Sequence, residues 1–320
     1  MAPLDGNDTM RRRPLLAVPI ALAALPAAAQ APLRLFTAGA GSAFLPYGEG
    51  LAAFLGKQGV AVTVERSAGS LENLAKVEDD AGALGTAFLG SAADAVAGTP
   101  AAGGRVHGRV RALFPMYETS FQVGVLRASG IARFADLAGK RVGAGPARGP
   151  AETFLRAALA AAGMEATIVS GDPAEMTRLL VTGGMDALWQ GAIVPIPSLV
   201  AAQQQADVVV FGLEAPVVAA VRARLPYLAD TTLPPGTYAG QSTPILSFAA
   251  WNFVVGNAGL SDEAAYRVTR AALSATDPRA EIHPSAAGTR AQNALANSVL
   301  PFHPGAARYY AERGITVRAG

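Results

Sequence analysis

Three segments of this 320-residue chain set glycine beside hydroxyl or cationic side chains just ahead of a helical stretch. Gly39-Ala40-Gly41-Ser42, continued by Ala43 and Phe44, is the first. Ser67-Ala68-Gly69-Ser70 is the second, and Gly145-Pro146-Ala147-Arg148-Gly149-Pro150-Ala151-Glu152 is the third. Glycine lets backbone amides approach a ligand, and a helix start offers unpaired N–H groups at the positive end of its dipole. The chemistry that follows is anion holding; a plain tight turn is the alternative for the first loop, and a solvated loop position for Arg148. The natural guest is a small organic anion, with backbone amides of Gly41, Ser42 and Ser70 on its oxygens. Arg148 adds a guanidinium that can clamp a carboxylate with two parallel bonds.

Other chemistries find no residues to carry them. The first loop is not a dinucleotide fingerprint, because Phe44 stands where the third glycine belongs, and no Gly-Lys-Ser/Thr sequence exists. The chain has no cysteine, which excludes disulfides, thiolate metal sites and a Cys nucleophile. Its three histidines, His107, His283 and His303, are each followed by Gly or Pro and share no i,i+4 spacing. There is no Gly-x-Ser-x-Gly elbow, no Ser-x-x-Lys and no recognisable acid/base pair among Glu118, Asp136 and Glu152. A binding protein without cofactor or metal is expected, not an enzyme. Net charge of +2 over this length argues against nucleic acid as partner.

The elements that must position these loops alternate β-rich runs with amphipathic stretches, the pattern of parallel sheets with crossover helices. Expected strands are 33–38, 60–64, 84–89 and 110–114, then a second set at 121–126, 142–144, 187–190 and 208–211. Pro150 suits the first position of a helix running to Ala162, and Asp172-Pro173-Ala174-Glu175 is a capping box. Residues 243–255 read as a long apolar strand, after which Ser261 caps a helix over 262–275. Two such sets predict two α/β lobes with a ligand cleft between them, the ligand lying at the carboxyl ends of the strands. Domain boundaries are placed at 30–121 plus 242–320 for lobe 1 and 122–241 for lobe 2. Phe88, Tyr117, Glu118, Trp189 and Gln190 fall where cleft walls would be; core packing is the alternative for Trp189, and a polar rim for Tyr117 and Glu118.

Ahead of both lobes, Arg11-Arg12-Arg13 precede an apolar run from Leu15 to Leu25 and a small-residue stretch ending at Ala29. This reads as an export signal over 1–29, by the general or the twin-arginine route, with Met1 or Met10 as start. The apolar run is too short to span a bilayer.

Several segments resemble one family. Residues 37–46, TAGAGSAFLP, resemble the TAGTGGTYYP loop of the TAXI proteins, the extracytoplasmic solute receptors of one branch of TRAP transporters. Ala68–Leu74 resembles their GGSVENL, residues 136–142 their DLKGKRV, Pro235–Gly240 their PGTYKG, and residues 301–310 their PxHPGAxxYY. The resemblance implies a type II periplasmic-binding fold, an organic anion or amino acid in the cleft, and delivery to TRAP-type membrane permease subunits. It also implies that His303-Pro304-Gly305 caps the last helix. The sequence departs from the pattern at Phe44-Leu45, where the family has paired tyrosines, and at Phe88 and Gly90, where it has glutamine and aspartate. The family's GSGTE is here Arg148-Gly149-Pro150-Ala151-Glu152. These changes favour a less amine-bearing, more carboxylate-like or partly apolar solute, with Ser67, Gly69, Gly149 and Ala151 completing the expected site. An orphan sensor feeding a membrane signalling partner is the alternative.

Overall fold

The computed structural model describes Ala2 and residues 32–39, 42–145, 147 and 149–320. The expected export signal, Gly41 and Arg148 lie outside these. In chain order the elements are β1 (Leu33–Phe36), α1 (Phe44–Lys57), β2 (Val62–Glu65), α2 (Ser70–Asp79), β3 (Ala83–Phe88), α3 (Leu89–Ala97), β4 (Val110–Leu126), β5 (Arg141–Gly143), α4 (Pro150–Ala161) and β6 (Thr167–Val169). There follow α5 (Pro173–Val181), β7 (Ala187–Ala192), α6 (Pro197–Gln205), β8 (Val208–Phe211), α7 (Ala215–Arg224), β9 (Leu228–Leu233), β10 (Ile245–Asn257), α8 (Asp262–Ala272), α9 (Pro278–Glu281) and α10 (Pro304–Ala311).

Two sets of strands share one plan. In lobe 1 the order is β2-β1-β3-β10-β4, with β1, β2 and β3 parallel and β10 antiparallel to β3. In lobe 2 it is β6-β5-β7-β4-β8, with β5, β6 and β7 parallel and β4 antiparallel to β7. Each lobe therefore inserts one reversed strand between its third and fourth, and those strands, β10 and β4, run from one lobe to the other. This is the type II periplasmic-binding fold, two α/β lobes with the cleft at the strand ends.

The sequence pattern divides β4 into separate strands at 110–114 and 121–126; the structure makes it one 17-residue strand. Pro115, which has no N–H to donate, sits where the pairing with β10 slips between Trp251 and Phe253. A bulge there absorbs the proline and lets the strand continue. Tyr117 and Glu118 thus lie inside the strand and not on a rim ahead of it. The pattern also passes over β6, only three residues long, and β9. Two threonines and an aspartate break the apolar run of β9, and Asp230 turns out to meet Arg222 at 2.7 Å.

Burial follows the lobes. One core gathers β1, β3, α1, α8 and α10 around Tyr47, Phe114, Phe253, Tyr309 and Tyr310. Lobe 2 has one core on each face of its sheet: Phe121, Phe134, Phe154, Trp189 and Phe248 on the α4–α7 side, and Met176, Leu180, Leu199 and Tyr238 on the α5–α6 side. The helix starts are built as their sequences predict. Asp172 Oδ1 accepts from the amides of Ala174 and Glu175, both at 3.0 Å. His303 Nδ1 accepts from Gly305 N–H at 3.2 Å while its Nε2 faces Leu260 O at 2.9 Å, so the last helix is capped by a buried imidazole. Burial lowers the His303 pKa, which keeps Nδ1 free to accept.

Candidate functional site

The loop after β1 leads into α1 through Ser42, whose Oγ accepts from Phe44 N–H at 3.2 Å. Phe44 packs its ring 6.3 Å from that of Tyr117, which also meets Tyr47 edge-on at 5.7 Å. Tyr47 is fully occupied: its hydroxyl bonds Thr289 Oγ1 at 2.8 Å, and Thr289 donates to Met116 O. Tyr117 is only 5% exposed, and no described residue partners its hydroxyl. Burial raises its pKa far above the ordinary phenol value, so the group is a neutral hydroxyl that can donate.

The loop after β2 closes on itself. Ser67 Oγ accepts from Gly69 N–H at 3.0 Å and turns its proton towards Asn73 Oδ1 (2.5 Å) and Thr37 O (3.0 Å). Glu72 Oε2 accepts from Ala68 N–H at 2.8 Å. Asn73, fully buried, donates from Nδ2 to Thr37 O and Thr86 O. Gly69 has φ +114°, a conformation an L side chain rarely adopts, which is why glycine opens α2. Ser67 is therefore a structural residue; the geometry leaves it no bond for a ligand. Ser70 Oγ accepts from Phe88 N–H at 3.1 Å, and its own proton stays uncommitted among the described residues.

Phe88, at the carboxyl end of β3, turns towards lobe 2 and meets the Phe154 ring of α4 edge-on at 5.9 Å. Lobe 1 thereby touches lobe 2 at the mouth of the cleft. Glu118 lies on the same run of β4 as the crossing between lobes, opposite Trp251 of β10. Its Oε1 accepts from Thr231 Oγ1 at 3.1 Å, and burial raises its pKa above the ordinary carboxylate value.

In lobe 2, β7 delivers two neighbouring side chains to opposite faces. Trp189 is 0% exposed, stacked on Phe121 at 5.6 Å, and donates from Nε1 to Ala151 O at 2.9 Å. It is core, and the cleft-wall expectation for it does not hold. Phe121 takes the space a side chain at Gly191, its partner in the ladder, would need. Gln190 is 7% exposed, and its Nε2 has no partner among the described residues. That nitrogen stands 3.6 Å from where a Cβ on Gly145 would be, with the Ala151 methyl 3.8 Å from the same point. Gly149 opens α4 without a side-chain cap, and Glu152 in its first turn holds Arg156 at 2.7 and 2.9 Å.

The structure thus gathers Ser42, Phe44 and Tyr117 at one mouth, Ser70 and Phe88 at the next, and Gly149, Ala151 and Gln190 at the third. Sequence reasoning missed the residues that brace these mouths. Asn73 shares the apolar face of α2 with Leu74 and Val77, and an amide on such a stripe was the available signal. Asn252, 2% exposed, bonds Tyr117 O and Thr119 Oγ1 across the two crossing strands. Among the described residues no cluster of three His, Asp or Glu could hold a metal ion, and no helix is long and apolar enough to cross a membrane.

Sequence comparison matches residues 35–314 to the model of the NMT1-like family. The chain belongs to the NMT1-like family. No protein of curated function matches it in sequence. Among solved structures, this NMT1-like chain is similar to MatC from Rhodopseudomonas palustris with bound malate: 17% identity, 88% of this chain and 98% of that one covered, TM-score 0.53. It is similar also to a TctC solute-binding protein from Polaromonas without ligand, at 13% identity, 88% and 98% coverage and TM-score 0.61. A further structure, described as a periplasmic transporter, aligns at 15% identity over 81% of this chain and 87% of that one, TM-score 0.50. These likenesses establish a shared fold.

Proposed function

We propose that the chain is a periplasmic solute receptor that closes its two lobes on a small organic anion and presents it to TRAP-type permease subunits, as a TAXI-type protein would. Residues 30–121 with 242–320 form one moving body and 122–241 the other, hinged on β4 and β10. The observation that carries this reading is Gln190 Nε2, a buried donor with no partner among the described residues. Buried polar groups in folded proteins are nearly always satisfied, so a buried donor left open close to the start of α4 is a place where a ligand oxygen can bind. Bound malate in a protein of the same fold supports a carboxylate as the guest. A 2-oxoacid or amino acid offers the same anionic group.

The receptor works without a chemical step. A ligand touching both lobes favours the closed state only by its greater affinity for closed over open, and the permease reads that state. Arg148 serves as the carboxylate clamp, with Gly41, Ser42 and Ser70 supplying donors from lobe 1. Phe44 and Phe88 line the apolar sides.

Thermal unfolding of residues 30–320 against dicarboxylates, 2-oxoacids, amino acids and aromatic acids tests this. A true ligand at a hundred times its Kd adds about 2.7 kcal/mol, which raises Tm by several degrees. Arg148→Ala then weakens that ligand by roughly 1.5 kcal/mol, a lost charged hydrogen bond. A flat panel on refolded protein, stripped of carried ligand, removes the receptor reading for these solutes.

A further inference from the structure

Resting on the receptor reading, we infer that lobe 2 holds a dedicated carboxylate subsite between Gln190 and the first turn of α4, and that the solute enters acid-end first into lobe 2. Two independent observations meet there. The 12-residue helix α4 begins at Gly149 with no side-chain cap, so its amino end presents positive dipole and no internal acceptor of its own from the cap residue. Facing that turn is Gln190, 7% exposed, with a buried Nε2 that no group among the described residues accepts from.

The two are brought to one point by Gly145. Its φ of +67° turns the chain after β5 away from the sheet, and the place its side chain would fill lies 3.6 Å from Gln190 Nε2 and 3.8 Å from the Ala151 methyl. Trp189, the next residue on β7, fixes the depth of that turn by donating to Ala151 O at 2.9 Å. Glu152, the acidic residue of the turn, is engaged by Arg156 at 2.7 Å. An amide N–H can only donate, so what completes Gln190 is an acceptor. Beside a helix amino end the favoured acceptor is an anionic oxygen, and the ammonium group of a solute, which has no lone pair to offer, is excluded from this position.

Calorimetric titration of residues 30–320 with succinate, malate and glutamate at pH 7.5 reads this directly, in the wild type, Gln190→Met and Gln190→Glu. Gln190→Met keeps the volume and removes the unsatisfied donor. It is expected to weaken the tightest of the three probes tenfold or more while the ligand-free Tm holds or rises by about 2 °C. Gln190→Glu places a carboxylate against the probe's own and takes binding below detection. Affinities within twofold of wild type in both variants overturn the subsite and leave the receptor reading standing. A lower ligand-free Tm accompanying the loss in Gln190→Met assigns Gln190 to packing and likewise overturns it. A wild type that binds none of the three overturns the subsite, while the receptor reading falls only with a flat thermal panel.

Discussion

The loop that opens α2 and the loop that opens α4 look alike in sequence, and the structure treats them oppositely. At α2 the groups that looked ready for an anion are spent inside the protein: Ser67 on Gly69, Asn73 and Thr37, and Glu72 on Ala68. At α4 the helix starts uncapped and a buried amide waits without a partner. A glycine-containing loop ahead of a helix is thus not one object: at α2 the Glu72 and Asn73 side chains fold back on it. Lobe 1 uses that loop to lock β1, β2 and β3 together, whereas in lobe 2 a buried donor, Gln190 Nε2, is left waiting among the described residues.

The widest break in this comparison comes from Asn73→Ala. The substitution strips Thr37 O and Thr86 O of a buried donor and leaves a small void, at a cost of about 3 kcal/mol in unfolding free energy. Equilibrium urea unfolding checks it; a loss below 1 kcal/mol would mean the α2 loop is not locked. Ser67→Ala comes next. Its hydroxyl makes only internal bonds, so stability falls by about 1 kcal/mol and the affinity for any ligand found in the thermal panel stays unchanged. A fall in affinity with stability intact would return Ser67 to the binding site.

Much of the architecture was legible because it rests on periodicity and punctuation. Asp172 and Ser261 announced their helices by type and position, the family resemblance implied the His303 cap, and the two βα sets announced two lobes. What stayed hidden depends on contacts distant in sequence. Nothing local says that Pro115 falls opposite a slip in β10 and so permits one continuous strand. The fate of Trp189 was equally hidden, since its burial is set by Phe121, Phe134 and Phe248, three rings from separate parts of the chain. For the site, the apolar and glycine positions could be read, while the bracing amides of Asn73 and Asn252 could not, because their acceptors, Thr86 O and Tyr117 O, lie on strands 13 and 135 residues away in the chain.

Glu118 sharpens the contrast between spent and waiting groups, and with it the class of the solute. Its carboxyl sits half-buried where β4 crosses between lobes, held by Thr231 alone at 3.1 Å. Burial raises its pKa, and the Thr231 bond only partly offsets this. The folded state therefore binds the proton more tightly than the unfolded state does. The full stability is present below the ordinary carboxylate pKa and is lost as pH rises through the higher folded value. Glu118→Gln removes that loss, so the variant's Tm should exceed the wild type's by about 2 °C at pH 7.5 and converge with it near pH 4. Its effect on binding separates the candidate solutes. An ammonium on the ligand would pair with this carboxylate, and a dicarboxylate would be repelled by it. Unchanged or tighter succinate binding in Glu118→Gln is the outcome expected for a carboxylate-like solute. A selective loss of glutamate binding would instead make Glu118 the counter-ion of an amino group, with the acid end still held in lobe 2.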